Sequence, residues 1–131
     1  MSAVLKTSKI ITGISIFVLV LSIYGCSSLG GKEDVFINQM GKEVRLGDFK
    51  GKVVLMNFIY TSCQNEGCER MTLQFLRAQE LLKNRFGKDL FLLSVSIDPA
   101  KDTPEILKQY AVKFKADSNA WFFLTGSPEA V

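Results

Sequence analysis

Three apolar runs, "VVLMNFIY" (53–60), "LFLLSVSI" (90–97) and "WFFLTG" (121–126), are separated by two stretches of helical periodicity, and this alternation limits the fold more than any other feature of the chain. The first run is nearly continuous and partly β-branched or aromatic, so it reads as a central strand buried on both faces. The second reads as another buried strand and the third as a further apolar one. Between the first two, "ERMTLQFLRAQELLKNRF" sets Met71, Phe75, Ala78 and Leu82 at helical spacing, widened by Leu76. Arg70, Gln74, Arg77 and Lys83 lie on its polar face, and Phe86-Gly87 is expected to close the helix.

Ahead of the second helix, Asp102 and Glu105 stand three residues apart and read as a capping box, with Pro104 in the first turn. Ile106, Leu107, Tyr110, Ala111 and Phe114 then form one apolar side. Upstream of all this, "VFINQMGKEVRL" reads as two short extended stretches around Met40-Gly41, a hairpin. Hairpin, strand, helix, strand, helix, strand is the order of an α/β domain with a mainly parallel sheet. At the far end, Ser127, Pro128 and Glu129 form a helix-start signal just before Val131, which raises the expectation that a C-terminal part of the domain is missing from this sequence.

The first 25 residues read as an export signal. Residues 1–9 are short and basic, and the 14 residues Ile10 to Ile23 are apolar with small interruptions. A bilayer span needs roughly 20 such residues, whereas this length suits the apolar core of a signal peptide. The following "IYGC" resembles a bacterial lipoprotein signal, in which the cysteine, here Cys26, becomes the lipidated N-terminus. An uncleaved membrane anchor is the alternative. "SSLGGKED" is small and polar, as a tether should be. The expected organisation is therefore a signal peptide or anchor over 1–25, a tether over 26–34, and one domain over 35–131, held outside the cytoplasm against a membrane.

Charge excludes some partners and the lack of histidine excludes some sites. Lys6 and Lys9 account for the basic excess of the leader, and the remainder carries 14 basic and 13 acidic residues, so no basic patch argues for nucleic acid. With no histidine anywhere, no site in this chain can use an imidazole.

Cys63 and Cys68 follow the first apolar run and precede the first helix, where open α/β sheets place their binding sites. Five residues correspond to about 140° around an α-helix, so the two cannot share a helical face. Cys63 is then expected in the loop and Cys68 in or just before the first helical turn, with Gly67 supplying the backbone freedom that lets the sulfurs converge. A thiol there feels the positive end of the helix dipole, which favours thiolate. Two converging thiolates suit a disulfide or a soft metal such as Cu(I). Inert burial is the remaining reading, although Ser62, Gln64, Asn65, Glu66 and Glu69 make the loop a polar place for it. Asp98, at the end of the second buried strand, could face the same site or simply cap a loop. Met71 could offer its thioether, but its place on the apolar stripe favours core packing. Asn57, inside a buried strand, is expected to find hydrogen-bond partners there.

These residues resemble a known family. "GKVVLMNFIYTSC", "SVSIDPAKDTPEILKQYA" and "WFFLTG" are similar to the copper chaperones of the SCO/SenC family, from about Val35 to the chain end. The resemblance implies a thioredoxin-like fold and a membrane-tethered domain outside the cytoplasm. Such a domain delivers copper to the dinuclear centre of cytochrome c oxidase, or reduces the disulfide there before metallation. Its partner would be the copper-carrying oxidase subunit or another cupro-protein. In that family two loop cysteines bind copper together with a histidine from a later segment. Cys63 and Cys68 match the cysteines, and Asp98 the aspartate of the "DP" turn. Four residues, "QNEG", separate the cysteines where three are usual, Gln64 and Glu69 stand where prolines are common, and the histidine has no counterpart up to Val131. Two functions are thus expected to compete: copper delivery through Cys63 and Cys68, and thiol–disulfide exchange in which one cysteine attacks a partner disulfide and the other resolves it.

Overall fold

The computed structural model describes residues 35–127. The expected leader over 1–25, the tether over 26–34 with Cys26, and the helix-start residues Pro128 and Glu129 lie outside them. In chain order the elements are β1 (Val35–Asn38), β2 (Glu43–Arg45), a single 3₁₀ turn (Leu46–Phe49), β3 (Val53–Ile59), α1 (Glu66–Leu81), β4 (Leu90–Ser96), α2 (Pro104–Lys113) and β5 (Trp121–Thr125).

The hairpin forms where turn chemistry predicts it. The Asn38 side chain accepts from the backbone N–H groups of Met40 and Lys42 at 2.9 and 3.0 Å, and Gly41 takes the left-handed torsion, φ +74°, that a side chain would resist. After β1 the chain leaves the sheet, yet the ladder continues through one side chain. Gln39 Nε2 donates to the Trp121 carbonyl and Gln39 Oε1 accepts from Phe123 N, both at 2.9 Å.

The five strands form one sheet in the order β2-β1-β5-β4-β3. β3 runs parallel to β4 and β4 parallel to β5, while β1 is antiparallel to β2 and β5. The α/β fold with a mainly parallel core and an N-terminal hairpin is as the sequence predicts. The place of β3 is not. It is an edge strand among the described residues, with Val53, Leu55, Met56 and Phe58 exposed, the last to 61%. The central, buried position belongs to β4. A continuous apolar run asks for cover on both faces, but it carries no information about which strands lie on either side of it.

β4 divides the core. Leu92, on the helical side, packs with Ile59, Trp121, Phe123, Leu107 and Ala111, and half-buried Phe75, Leu76 and Tyr110 close that cluster. Leu93 and Val95, pointing the other way, pack with Phe36, Val44, Phe49 and Leu124. The 3₁₀ turn delivers Phe49, whose ring lies 5.3 and 5.9 Å from those of Phe91 and Phe122. Each such side chain contributes about 1.5–3 kcal/mol when fully withdrawn from water, so the two clusters hold the sheet from both sides.

α1 differs from its expected form in two ways. It ends at Leu81, short of Phe86-Gly87, and Leu82 to Arg85 form a turn in which Leu82 N still bonds the Ala78 carbonyl at 3.0 Å. Gly87, φ +77°, then turns the chain into β4. Its inward face is also rotated: Thr72 is fully buried, Phe75 and Leu76 half-buried, and Met71 is 52% exposed. Met71 is therefore not a core residue; it lines a cavity with Phe58 and Ile59 of β3.

Candidate thiol–disulfide and metal site

The site grows from the carboxyl end of β3. The strand ends at Ile59, and Tyr60 to Cys63 form a turn closed by a 3.3 Å bond from Cys63 N to the Tyr60 carbonyl. Asn65 then caps α1, its side chain accepting from Gly67 N at 2.9 Å while its carbonyl takes Cys68 N at 3.1 Å. Cys63 thus belongs to the loop and Cys68 to the first helical turn, as the spacing predicts. Their Cα atoms are 6.3 Å apart and the sulfurs are joined as a disulfide, S–S 2.02 Å. Gly67 does not play the expected part. It has no left-handed torsion, and a Cβ on it would sit 3.4 Å from the Asn65 cap oxygen. A side chain there would meet the cap at ordinary contact distance, so neither the smallness of Gly67 nor its backbone freedom is what shapes the loop.

Around the pair the chain is unevenly polar. A cavity of about 250 Å³ opens beside Cys68, walled by Phe58, Met71, Ile97 and Tyr110. The Tyr110 hydroxyl lies 3.1 Å from Thr72 Oγ1, tying α2 to α1 under the disulfide. At the helix start, Glu69 bonds Lys113 across the same gap, and that hydrogen bond holds the Lys113 ammonium above its ordinary pKa. Glu66 and Glu69 lie in the first turn of α1, where carboxylates meet the positive end of the dipole.

The carboxylate that reaches the cysteine loop is Asp102, not Asp98. Asp102 is fully buried, and its oxygens accept from Thr61 Oγ1 at 2.6 Å, from Thr61 N at 3.2 and 3.3 Å, and from Ser96 Oγ at 2.6 Å. The helix cap assigned to Asp102 from the sequence falls to Thr103, whose hydroxyl accepts from Ile106 N at 3.4 Å. Asp98 instead pairs with Lys101 at 3.1 Å, and its carbonyl receives Asp102 N at 2.9 Å. Sequence reasoning missed Thr61 and Ser96 altogether. The signal available was that both are hydroxyl residues at the carboxyl ends of apolar runs, where core packing gives no reason for them. Asn57 departs in the other direction: it is 6% exposed, yet neither amide atom has a hydrogen-bond partner.

As a donor set, the site offers two sulfurs from Cys63 and Cys68, with the Met71 thioether one turn further along α1 on the wall of the same cavity. Among the described residues no three His, Cys, Asp or Glu side chains gather to hold a metal. Sulfur ligands of this kind select soft, monovalent copper over ions that prefer oxygen.

A parallel β-strand, a loop cysteine and a second cysteine in the first turn of the following helix are the arrangement of a thioredoxin-like fold with a cysteine pair at the end of a sheet strand. Residues 29–131 match the SCO1/SenC family. The chain belongs to that family. It is 33% identical over 126 residues to the SCO1 protein homolog of Bacillus subtilis, covering 90% of this chain and 64% of the relative. A solved structure of BsSco, a member of the Sco family of cytochrome c oxidase assembly proteins in which a disulfide switch was identified, superposes with a TM-score of 0.64 at 38% identity. That superposition covers 72% of this chain and 55% of BsSco. Arabidopsis thaliana ScoI with copper bound superposes with a TM-score of 0.61 at 28% identity, over 76% of this chain and 60% of the other. The chain therefore spans just under two thirds of its Bacillus relative and little more than half of BsSco.

Proposed function

We propose that this chain is a copper chaperone of cytochrome c oxidase assembly, carrying Cu(I) on Cys63 and Cys68 and tethered outside the cytoplasm through its N-terminus, with Cys26 as the lipid-bearing residue. The observation that carries the reading is the convergence of Cys63 and Cys68, from two different local structures, at the carboxyl end of a sheet strand in a SCO1/SenC chain. The copper-bound plant relative supports copper as the cargo, and the BsSco structure supports both the oxidase and a disulfide that switches.

The chemistry follows from the sulfurs. Two electrons and two protons convert the Cys63–Cys68 disulfide into two thiols. Cu(I) then replaces the two thiol protons, and a partner with a more complete ligand set takes the ion on. The donors this chain offers are the two thiolates and, beside them, Met71, and a histidine from a later segment would complete the site. Asp98 takes a peripheral role, its carbonyl bracing Asp102 at the corner behind the loop.

The second reading is favoured by the disulfide itself. In the reduced chain one thiolate attacks a sulfur of a partner's disulfide and expels the other partner sulfur as thiolate. The remaining cysteine then attacks the mixed disulfide, which frees the partner as a dithiol and leaves Cys63–Cys68 oxidised.

Titration of the reduced protein with Cu(I) against a competing chelator tests the first reading. One Cu(I) per chain is expected, lost in Cys63→Ser and in Cys68→Ser. Equal retention by the double variant would refute it. The second reading requires that the reduced, copper-free protein reduce a disulfide substrate faster than free thiol does at equal concentration.

A further inference from the structure

The two cysteines are not held by equivalent means. Cys68 rides on α1, which is capped by Asn65 and packed through Thr72, Phe75 and Leu76. Cys63 sits in a turn whose own backbone bond, Cys63 N to Tyr60 O, is a long 3.3 Å. What restrains that turn is its second residue, Thr61, and what restrains Thr61 is a carboxylate 41 positions away in the sequence.

Asp102 is fully buried, and each of its oxygens takes one short hydroxyl bond of 2.6 Å, one from Thr61 and one from Ser96. The Thr61 N–H points between the two oxygens, at 3.3 and 3.2 Å. Ser96 Oγ in turn accepts from Asp98 N at 3.0 Å, so the ends of β3 and β4 and the start of α2 close on a single carboxylate. A helix cap would not require such burial, and Thr103 already supplies the cap. A carboxylate taken out of water is costly unless it is fully hydrogen-bonded, and here three of its contacts go to Thr61 of the segment that presents Cys63, while Ser96 anchors it to the end of β4.

We propose that Asp102 is a positioning residue of the cysteine pair, holding the Thr61 turn so that Cys63 lies within reach of Cys68. The inference rests on the pair cycling between disulfide and dithiol, as in the function proposed above, and not on copper. Its chemical content is an effective concentration. The disulfide is the more stable the better the two sulfurs are held together before the bond forms. Losing the carboxylate frees Thr61 and lowers that concentration without touching either sulfur.

The test is the midpoint potential of Cys63–Cys68 in the full chain in detergent, equilibrated in copper-free glutathione buffers. Cys26→Ser serves as the background, so that no third thiol interferes. Asp102→Ala is expected to weaken disulfide closure about tenfold, which moves the midpoint about 30 mV less negative for a two-electron couple. Asp102→Asn, whose carbonyl oxygen still accepts from Thr61 N, should fall between the two. Thr61→Val should shift the midpoint the same way by less, and should add nothing in the Asp102→Ala background. Val44→Ala, a core variant in the cluster on the opposite face of the sheet, should lower stability and leave the midpoint in place. An unchanged or more negative midpoint in folded Asp102→Ala overturns the proposal. If that variant does not fold, Thr61→Val decides alone: a shift of the expected sign supports it and no shift overturns it. Because copper is absent, failure to bind Cu(I) would sink the chaperone reading and leave this result standing.

Discussion

Replacing Asn57 with leucine should stabilise the protein. Asn57 lies on β3 opposite Ser94 of β4, 6% exposed, with neither Oδ1 nor Nδ2 hydrogen-bonded. The Ser94 hydroxyl, its nearest polar neighbour in the register, already accepts from Trp121 Nε1 at 3.0 Å. A buried polar group left without a partner costs about 1–3 kcal/mol, and this amide has two such atoms. Leucine keeps the branch at Cγ and removes both. Its extra bulk works against that gain, since overpacking a core costs about 1–3 kcal/mol, which an edge strand with one open side absorbs in part. The expected net gain is about 1–2 kcal/mol, which for a domain of this size raises Tm by roughly 4–16 °C. Urea unfolding followed by the emission of Trp121, the single tryptophan of the chain and fully buried, measures it directly. The midpoint should rise at unchanged slope. A lower midpoint for Asn57→Leu would show that the amide contributes to the fold, and the reasoning from an orphaned group would fail.

Leu107, fully buried on α2 against Leu92 and Trp121, should cost about 2–5 kcal/mol when truncated to alanine, read as a drop in the same urea midpoint. The Arg85 guanidinium, hydrogen-bonded to Asp89 at 2.7 and 3.0 Å, holds the Asp89 carboxyl below its ordinary pKa. A depressed carboxyl pKa stabilises the fold above the ordinary carboxylate range and loses that contribution as the pH falls through the folded value. Arg85→Ala should therefore be slightly less stable than wild type near neutral pH, and the gap between their urea midpoints should close in strong acid. A gap that widened on acidification would contradict the sign. Both side chains are about half exposed, so the effect should be small and should shrink further in high salt.

The alternation of β3, α1, β4, α2 and β5 was legible in the sequence because it rests on local signals: apolar runs, helical spacing, and the Asn38–Gly41 turn with its side-chain acceptor and left-handed glycine. So was the division of the cysteines between loop and helix, since a separation of five places them on different sides of any helix. The family resemblance rested on equally local stretches. Four other features were not legible, and each depends on something distant. That β3 is an edge and β4 the centre is a matter of strand order, which no single run encodes. Met71 is exposed although its spacing matches the apolar stripe, because which face α1 buries depends on what packs against it, here through Thr72, Phe75 and Leu76. Asn57 is buried without a partner, opposite Ser94 of β4, whose hydroxyl is taken up by the distant Trp121.

Asp102 shows the limit most clearly. In the sequence it has every mark of a helix cap, two residues ahead of a proline and three ahead of a glutamate. In the fold the cap moves one residue to Thr103, and Asp102 turns inward to hydroxyls on two other elements. Local sequence determined which segments are strands and helices and which residues can carry chemistry, because those depend on backbone preference and the period of apolar residues. Tertiary structure decided the strand order, the face each helix buries and the carboxylate that meets the cysteine loop. Those follow from contacts between residues far apart in the chain, which form only once the core has brought them together.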